Sequence, residues 1–329
     1  MKLAFYGLWQ DERKKLEELK EKYGVESVLE TDEELSLATV SLSKGAEGAS
    51  ILGRGRIGEE IICKLSQNGV RFLATRSIGY NHIDLAALKK YGIKLCNSQY
   101  PPDSVAEFTV MLILNVLRRY KQVLWRQQVN DYALSGLRGS VLGARTVGVI
   151  GGGRIGKKVM QILSGFGCQI LYASEFEDAE CSKIARYTTL GEIYQKADVI
   201  TYHVPLTDQT RKMLNKETLS KMKNGVVLIN TARGELFDTD TLIFGVESEK
   251  IGGLAMDVFD GEEGIYHMDR TDDILQNRNM AYLRQFPNVI LTPHMAFYTQ
   301  MSMDYMIQNS VEGLLEFQKT GASRLEIKL

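Results

Sequence analysis

An arginine at 233, two glutamates at 262 and 263, and a histidine at 294 each follow a β-rich run, in the stretches NTARGELFD, MDVFDGEEG and LTPHMAFYT. Together these side chains can meet the needs of a 2-oxo acid that is to be reduced. Its carboxylate must be gripped, its ketone polarised, and its oxygen protonated as hydride reaches the carbon. A guanidinium offers a two-pronged fork for the carboxylate and keto oxygens. An imidazole titrates near neutrality and can give the proton. A carboxylate beside that ring, Glu262 or Glu263, would orient it and favour its charged form.

Residues this far apart need a scaffold that brings strand ends together. The runs KLAFYG, ASIL, VRFLAT, TVGVIG, QILYAS, DVITYHV, GVVLINT, GLAMDVF and NVILTP alternate with helical stretches. That alternation predicts an α/β chain of doubly wound parallel sheets covered by helices. In such sheets a ligand lies beyond the carboxyl ends of the strands, where the three stretches and HVPLT at 203–207 all fall.

Two stretches satisfy the glycine fingerprint of a dinucleotide turn, GRGRIG at 53–58 and GGGRIG at 151–156. Residues 53–77 align without a gap on 151–175 and match at nine of twenty-five positions, so each half is expected to carry one doubly wound domain. Shared fold is not shared function. The second copy follows a firm strand, TVGVI, and has Ser174 and Glu175 where an acidic residue would meet the adenine ribose. The first places Arg54 in its turn and Arg76-Ser77 at the ribose slot. The nucleotide is therefore assigned to Gly151, Gly153 and Gly156.

VGVIGGGRIG, INTARG, DVFDGEE and TPH, in that order, resemble the D-isomer-specific 2-hydroxyacid dehydrogenases, and among them the D-lactate dehydrogenase branch, over nearly the whole chain. The intervals of 29 residues from Arg233 to Glu262 and 32 from Glu262 to His294 resemble that branch too. The resemblance implies two Rossmann- or flavodoxin-like domains with a cleft between them that closes on the substrate. It implies a substrate-binding domain at 1–101 and 298–329 and a dinucleotide-binding domain at 102–297. Arg233 then binds substrate, His294 is the acid/base and Glu262 is its partner. Backbone N–H groups of Ile78 and Gly79 would hold the substrate carboxylate, and Tyr100 and Phe297 would form the side-chain pocket. Leu52 and Arg54 would face the substrate side of the cleft. Arg154 and Ile155 would lie over the pyrophosphate, Asp257 would face the nicotinamide amide, and His203, Val204, Pro205, Thr231 and Ala232 would line the rest of the cofactor site. Ser174 replaces the usual ribose aspartate. With Glu175 beside it and no basic residue in FEDAE, NADH is expected rather than NADPH.

Composition narrows the partners. Forty basic against forty-one acidic residues give a net charge of −1, so no long-range field draws in nucleic acid or an anionic membrane. The four cysteines and four histidines show no metal-ligand spacing. The opening MKLAFYGLWQDERKK reads as a first strand rather than a signal peptide, and FTVMLILNVL at 108–117 is too short for a membrane span. A cytoplasmic enzyme is expected. The helix holding that run should start at an Asp103 or Ser104 cap and contribute core and subunit contact, which makes a homodimer through the nucleotide-binding domain the expected assembly. His82 reads as a loop residue and His267 as a surface one. Pyruvate is the expected substrate, larger acids such as phenylpyruvate, 2-oxoisocaproate or 2-oxoglutarate the alternative, and a non-catalytic NAD(H)-sensing protein the alternative from another class. The chain's stop after a final helix, with no regulatory domain, argues against a phosphoglycerate dehydrogenase.

Overall fold

Strand β1 (Lys2–Phe5) pairs in parallel with β2 (Glu26–Glu30) on one side and β3 (Gly48–Ile51) on the other, and β4 (Phe72–Thr75) and β5 (Lys94–Cys96) extend the sheet. The order β2-β1-β3-β4-β5 is that of a flavodoxin-like sheet. A second sheet holds β6 (Thr146–Ile150), β7 (Gln169–Ala173), β8 (Arg186–Tyr187), β9 (Val199–Tyr202), β10 (Val226–Asn230), β11 (Ile251–Met256) and β12 (Val289–Leu291), in the order β12-β11-β10-β9-β6-β7-β8. This is the doubly wound dinucleotide-binding order with one strand added, and its direction reverses between β6 and β9. Strand β13 (Glu326–Ile327) pairs antiparallel to β5, a mixed edge that the parallel pattern did not predict.

This computed structural model describes residues 1–53 and 55–329. The chain divides into two compact units, Met1–Pro101 with Tyr298–Leu329, and Pro102–Phe297. In the first, alternation along β1 sends Leu3 and Phe5 to one face, against Ile307, Val311 and Leu314 of the helix Gln300–Thr320, and Ala4 to the other, with Ile62 and Leu65. In the second, Val147 and Val149 of β6 pack with Val110, Val159 and Met160, while Ile150 joins Ile200, Leu228 and Leu254. Each sheet is thus covered on both faces, as near-continuous apolar strands require.

The two glycine stretches diverge at the start of their helices. After β6, helix Arg154–Ser164 begins immediately behind Gly153, and Gly156 lies in its first turn. After β3, helix Glu59–Gln67 begins only behind Gly58, three alignment positions later. The first stretch therefore lacks a helix N-terminus at its second glycine, which removes the feature that attracts a pyrophosphate. Arg76, at its ribose slot, turns into the protein. It is fully buried and donates to Glu12 at 2.8 Å, to Ser50 Oγ at 2.9 Å and to the carbonyls of Tyr6 and Gly7 at 3.0 and 2.7 Å. The expectation for Arg54 falls outside the described residues.

The helix Asp103–Leu117 is present, but neither Asp103 nor Ser104 caps it. Pro102 occupies the cap position, and the Asp103 carboxylate pairs instead with Lys158 at 2.6 Å. Proline suits the start of a helix, where its missing N–H would be unpaired in any case.

Candidate active site

The second sheet brings five loops to one edge, because β6, β9, β10, β11 and β12 are all parallel. The glycine turn follows β6, His203 follows β9, Arg233 follows β10, Asp257 follows β11 and His294 follows β12. Sequence separations of about thirty residues become neighbouring strand ends.

At the reversal point the turn is drawn tight. Gly151 has φ +105°, and a Cβ there would stand 2.3 Å from the His203 carbonyl oxygen. A Cβ at Gly156 would stand 1.9 Å from the Gly151 carbonyl oxygen. Gly153 is different: its φ is −67° and nothing lies within 4 Å of the place its Cβ would take. Open space in front of a helix N-terminus is what a pyrophosphate needs, so this turn fits a dinucleotide. Exposed Arg154 and half-buried Ile155 open the helix there. Ser174 follows β7 with its side chain 3.1 Å from the Cβ position of Gly152, and Glu175 is exposed beside it. Val204 closes on the turn from the other side, 3.2 Å from the Cβ position of Gly151, with Pro205 next in the loop. Burial pushes the His203 imidazole down to about 3, so the ring is neutral, and its Nε2 lies 3.0 Å from Thr201 Oγ1.

The arginine turn is set by Asn230. Its buried carboxamide accepts from the Ala232 N–H at 3.0 Å and donates to the Arg233 carbonyl at 2.8 Å. Thr231 Oγ1 bonds Thr109 Oγ1 at 2.8 Å. Gly234 then lets the turn lie directly on the next loop, since a Cβ there would meet Phe259 main chain at 2.2 Å. Asn230 and Gly234 were not singled out from the sequence, although both lie within INTARG.

Asp257 builds the histidine loop. Its carbonyl accepts from the His294 N–H at 2.7 Å, and its carboxylate accepts from Thr292 Oγ1 at 2.6 Å, Met295 N at 2.9 Å and Ala296 N at 2.8 Å. Burial raises its pKa, and these bonds oppose the rise. Of the two glutamates, Glu262 reaches the imidazole: Oε1 accepts from His294 Nδ1 at 2.5 Å, while Oε2 accepts from the Phe259 N–H at 2.6 Å. Glu263 is exposed. A carboxylate on Nδ1 leaves Nε2 as the nitrogen that can exchange a proton. His267 is not a surface residue. It is half-buried and donates to the His294 carbonyl at 2.9 Å, because residues 262–267 fold back over the histidine loop. Phe297 lies 6.2 Å from both histidine rings.

In the first unit, Leu52, the Ile78-Gly79 pair and Tyr100 follow the carboxyl ends of β3, β4 and β5. Leu52 and Tyr100 are buried. Asn97 donates to the Ile78 carbonyl at 2.8 Å and Ser77 to the Gly79 carbonyl at 2.7 Å, and, separately, the Ile78 and Gly79 N–H groups meet no acceptor among the described residues. Two adjacent unpaired amides suit a carboxylate. Among the described residues no cluster has the makings of a metal site, and no helix is long and apolar enough to cross a membrane.

A dinucleotide turn at the switch point and a carboxylate–histidine pair at the same sheet edge define a nicotinamide-dependent oxidoreductase. Residues 110–296 match the family model of the D-isomer specific 2-hydroxyacid dehydrogenase NAD binding domain. The chain is 40% identical to an aromatic 2-oxoacid reductase of Clostridium sporogenes, covering 98% of each, and 32% identical to the D-lactate dehydrogenase of Escherichia coli, covering 97% of each. The NAD-complexed D-isomer specific 2-hydroxyacid dehydrogenase of Lactobacillus delbrueckii is similar in structure, with a TM-score of 0.84 and 31% identity over 100% of both chains. The chain belongs to the D-isomer-specific 2-hydroxyacid dehydrogenase family and is an NAD-dependent enzyme.

Proposed function

We propose that this enzyme reduces pyruvate, or a close 2-oxo acid, to the D-2-hydroxy acid with NADH, reversibly. Gly151, Gly153, Arg154, Ile155, Gly156, Ser174, Glu175, His203, Val204, Pro205, Thr231, Ala232 and Asp257 would hold the cofactor, which when bound supplies hydride to the carbonyl carbon. Arg233 grips the substrate carboxylate and keto oxygen. His294 delivers a proton from Nε2 to that oxygen as the carbon is reduced, so the ketone becomes a hydroxyl and the ring is left neutral until it is reprotonated from solvent. Glu262 steadies the charged ring through Nδ1. The family resemblance adds the amides of Ile78 and Gly79 as expected contacts of the substrate carboxylate, and Tyr100 and Phe297 as expected contacts of its side chain. The observation that carries this reading is the 2.5 Å Glu262–His294 contact on the sheet edge that also bears Arg233 and the glycine turn.

A second reading, an aromatic 2-oxo acid as preferred substrate, draws on the 40% identity to a relative named for that activity, against 32% to the D-lactate dehydrogenase. Comparing kcat/KM for pyruvate, 2-oxoisocaproate and phenylpyruvate, with NADH and NADPH, separates the two. His294→Gln tests the chemistry: turnover should fall by orders of magnitude with NADH still bound, and retained turnover refutes the assignment. We further infer a homodimer through the nucleotide-binding unit. Trp125, Val129, Tyr132, Leu134 and Val141 there are between 45% and 84% exposed, more apolar surface than a lone soluble domain ordinarily shows in one segment. Sedimentation of the native chain against Tyr132→Glu and Leu134→Glu tests it.

A further inference from the structure

We propose that His267 is a positioning residue for His294, holding the main chain from which the proton-donating ring projects; the proposal rests on the acid/base reading of His294 above. His294 has φ +51°, a left-handed conformation that a residue with a Cβ seldom keeps without support. The support comes from two sides. The N–H groups of Met295 and Ala296 donate to Asp257, and the carbonyl oxygen of His294 accepts from His267 Nε2 at 2.9 Å. His267 has φ +63° itself, so two non-glycine residues share this backbone class across one hydrogen bond.

The same short segment grasps His294 twice. Glu262 takes Nδ1 of the ring, and the chain then turns, with the N–H groups of Ile265 and Tyr266 both donating to the Glu262 carbonyl at 3.0 and 3.1 Å. Five residues after Glu262, that turn delivers His267 to the His294 carbonyl. The rings close the arrangement: the His267 and His294 centroids are 6.0 Å apart, and Phe297 stands 6.2 Å from each. A bond to a carbonyl requires a proton on His267 Nε2 whether that ring is neutral or charged, so His267 acts as a fixed donor and does not compete for the catalytic proton. Its contribution is to the aim of His294 Nε2, and misplacement by an ångström is enough to slow a proton transfer severely.

The test uses the whole enzyme and three variants. His267→Phe keeps a flat ring among its neighbours and removes the donor; His267→Gln puts an amide N–H near the position of Nε2; His294→Gln reports on the acid/base reading itself. The expected result is a kcat lowered roughly tenfold to a hundredfold in His267→Phe, with the NADH dissociation constant and thermal midpoint close to native, and most of the loss recovered in His267→Gln. Native kcat in His267→Phe overturns the proposal. So does a loss that runs parallel with NADH affinity and thermal stability, or one that glutamine does not repair. If His294→Gln itself keeps turnover, the proposed function fails instead, and the two failures are told apart.

Discussion

Replacing Glu262 by glutamine changes one atom and should disable most of the catalysis. Both carboxylate oxygens face N–H donors, Oε1 the His294 ring at 2.5 Å and Oε2 the Phe259 main chain at 2.6 Å. An amide has one acceptor and one donor group, so it can serve only one of them. With its oxygen on Phe259, its NH2 meets Nδ1 and drives the ring to the tautomer that carries its proton on Nε2 and cannot give it up without becoming an anion. With its oxygen on His294, its NH2 confronts a main-chain N–H. Either way one charge-assisted hydrogen bond is lost, worth about 1.5–3 kcal/mol. If that energy is felt in the transition state, kcat falls roughly tenfold to 150-fold. The assay is steady-state loss of NADH absorbance with saturating 2-oxo acid, alongside NADH binding by fluorescence. The glycine turn is untouched, so binding should stay near native. A kcat within about twofold of native would show that the Glu262–His294 contact is a resting-state feature without a catalytic role.

Gly153→Ala separates the glycines that fold the turn from the one that faces a ligand. Its Cβ would meet nothing within 4 Å, so stability should hold while NADH affinity drops roughly tenfold, as calorimetry can show. Arg76→Met should cost about 3–5 kcal/mol in urea unfolding, because it strands the fully buried Glu12, and adding Glu12→Gln should restore part of that. Burial moves the His203 imidazole from 6.5 to about 3. Below pH 6.5 the unfolded chain takes up a proton that the folded chain refuses until about pH 3, so stability is complete above 6.5 and falls through this window on acidification. His203→Gln, measured without cofactor, should therefore lose less stability between neutral and mildly acidic pH than native, by up to about 1.4 kcal/mol per pH unit.

Much of this architecture was legible because it is written in short-range pattern. Nine apolar β-rich runs, separated by helical stretches, predicted nine of the strands. Those not foreseen are β2, β5, β8 and β13, which run two to five residues; β2, β8 and β13 lie at sheet edges. There burial on both faces no longer imposes an unbroken hydrophobic run. The glycine turn was legible for a related reason, since close backbone approach excludes every other side chain at 151 and 156. The choice of GGGRIG over GRGRIG followed from the residues after each, and the later helix start behind Gly58 and the inward turn of Arg76 give that choice a physical cause.

What the residues alone determined is the chemistry available: an arginine, a carboxylate and a histidine at strand ends, and one glycine turn shaped for a pyrophosphate. What only the folded chain decided is which atoms meet. Sequence left Glu262 and Glu263 equivalent until a family resemblance chose between them; in space the fold of 259–262 puts one carboxylate on His294 Nδ1 and the other in solvent. His267 read as a surface residue because nothing local to it signals a partner 27 residues away. Its bond to the His294 carbonyl exists because β11 and β12 are parallel neighbours, and their loops therefore leave the sheet side by side.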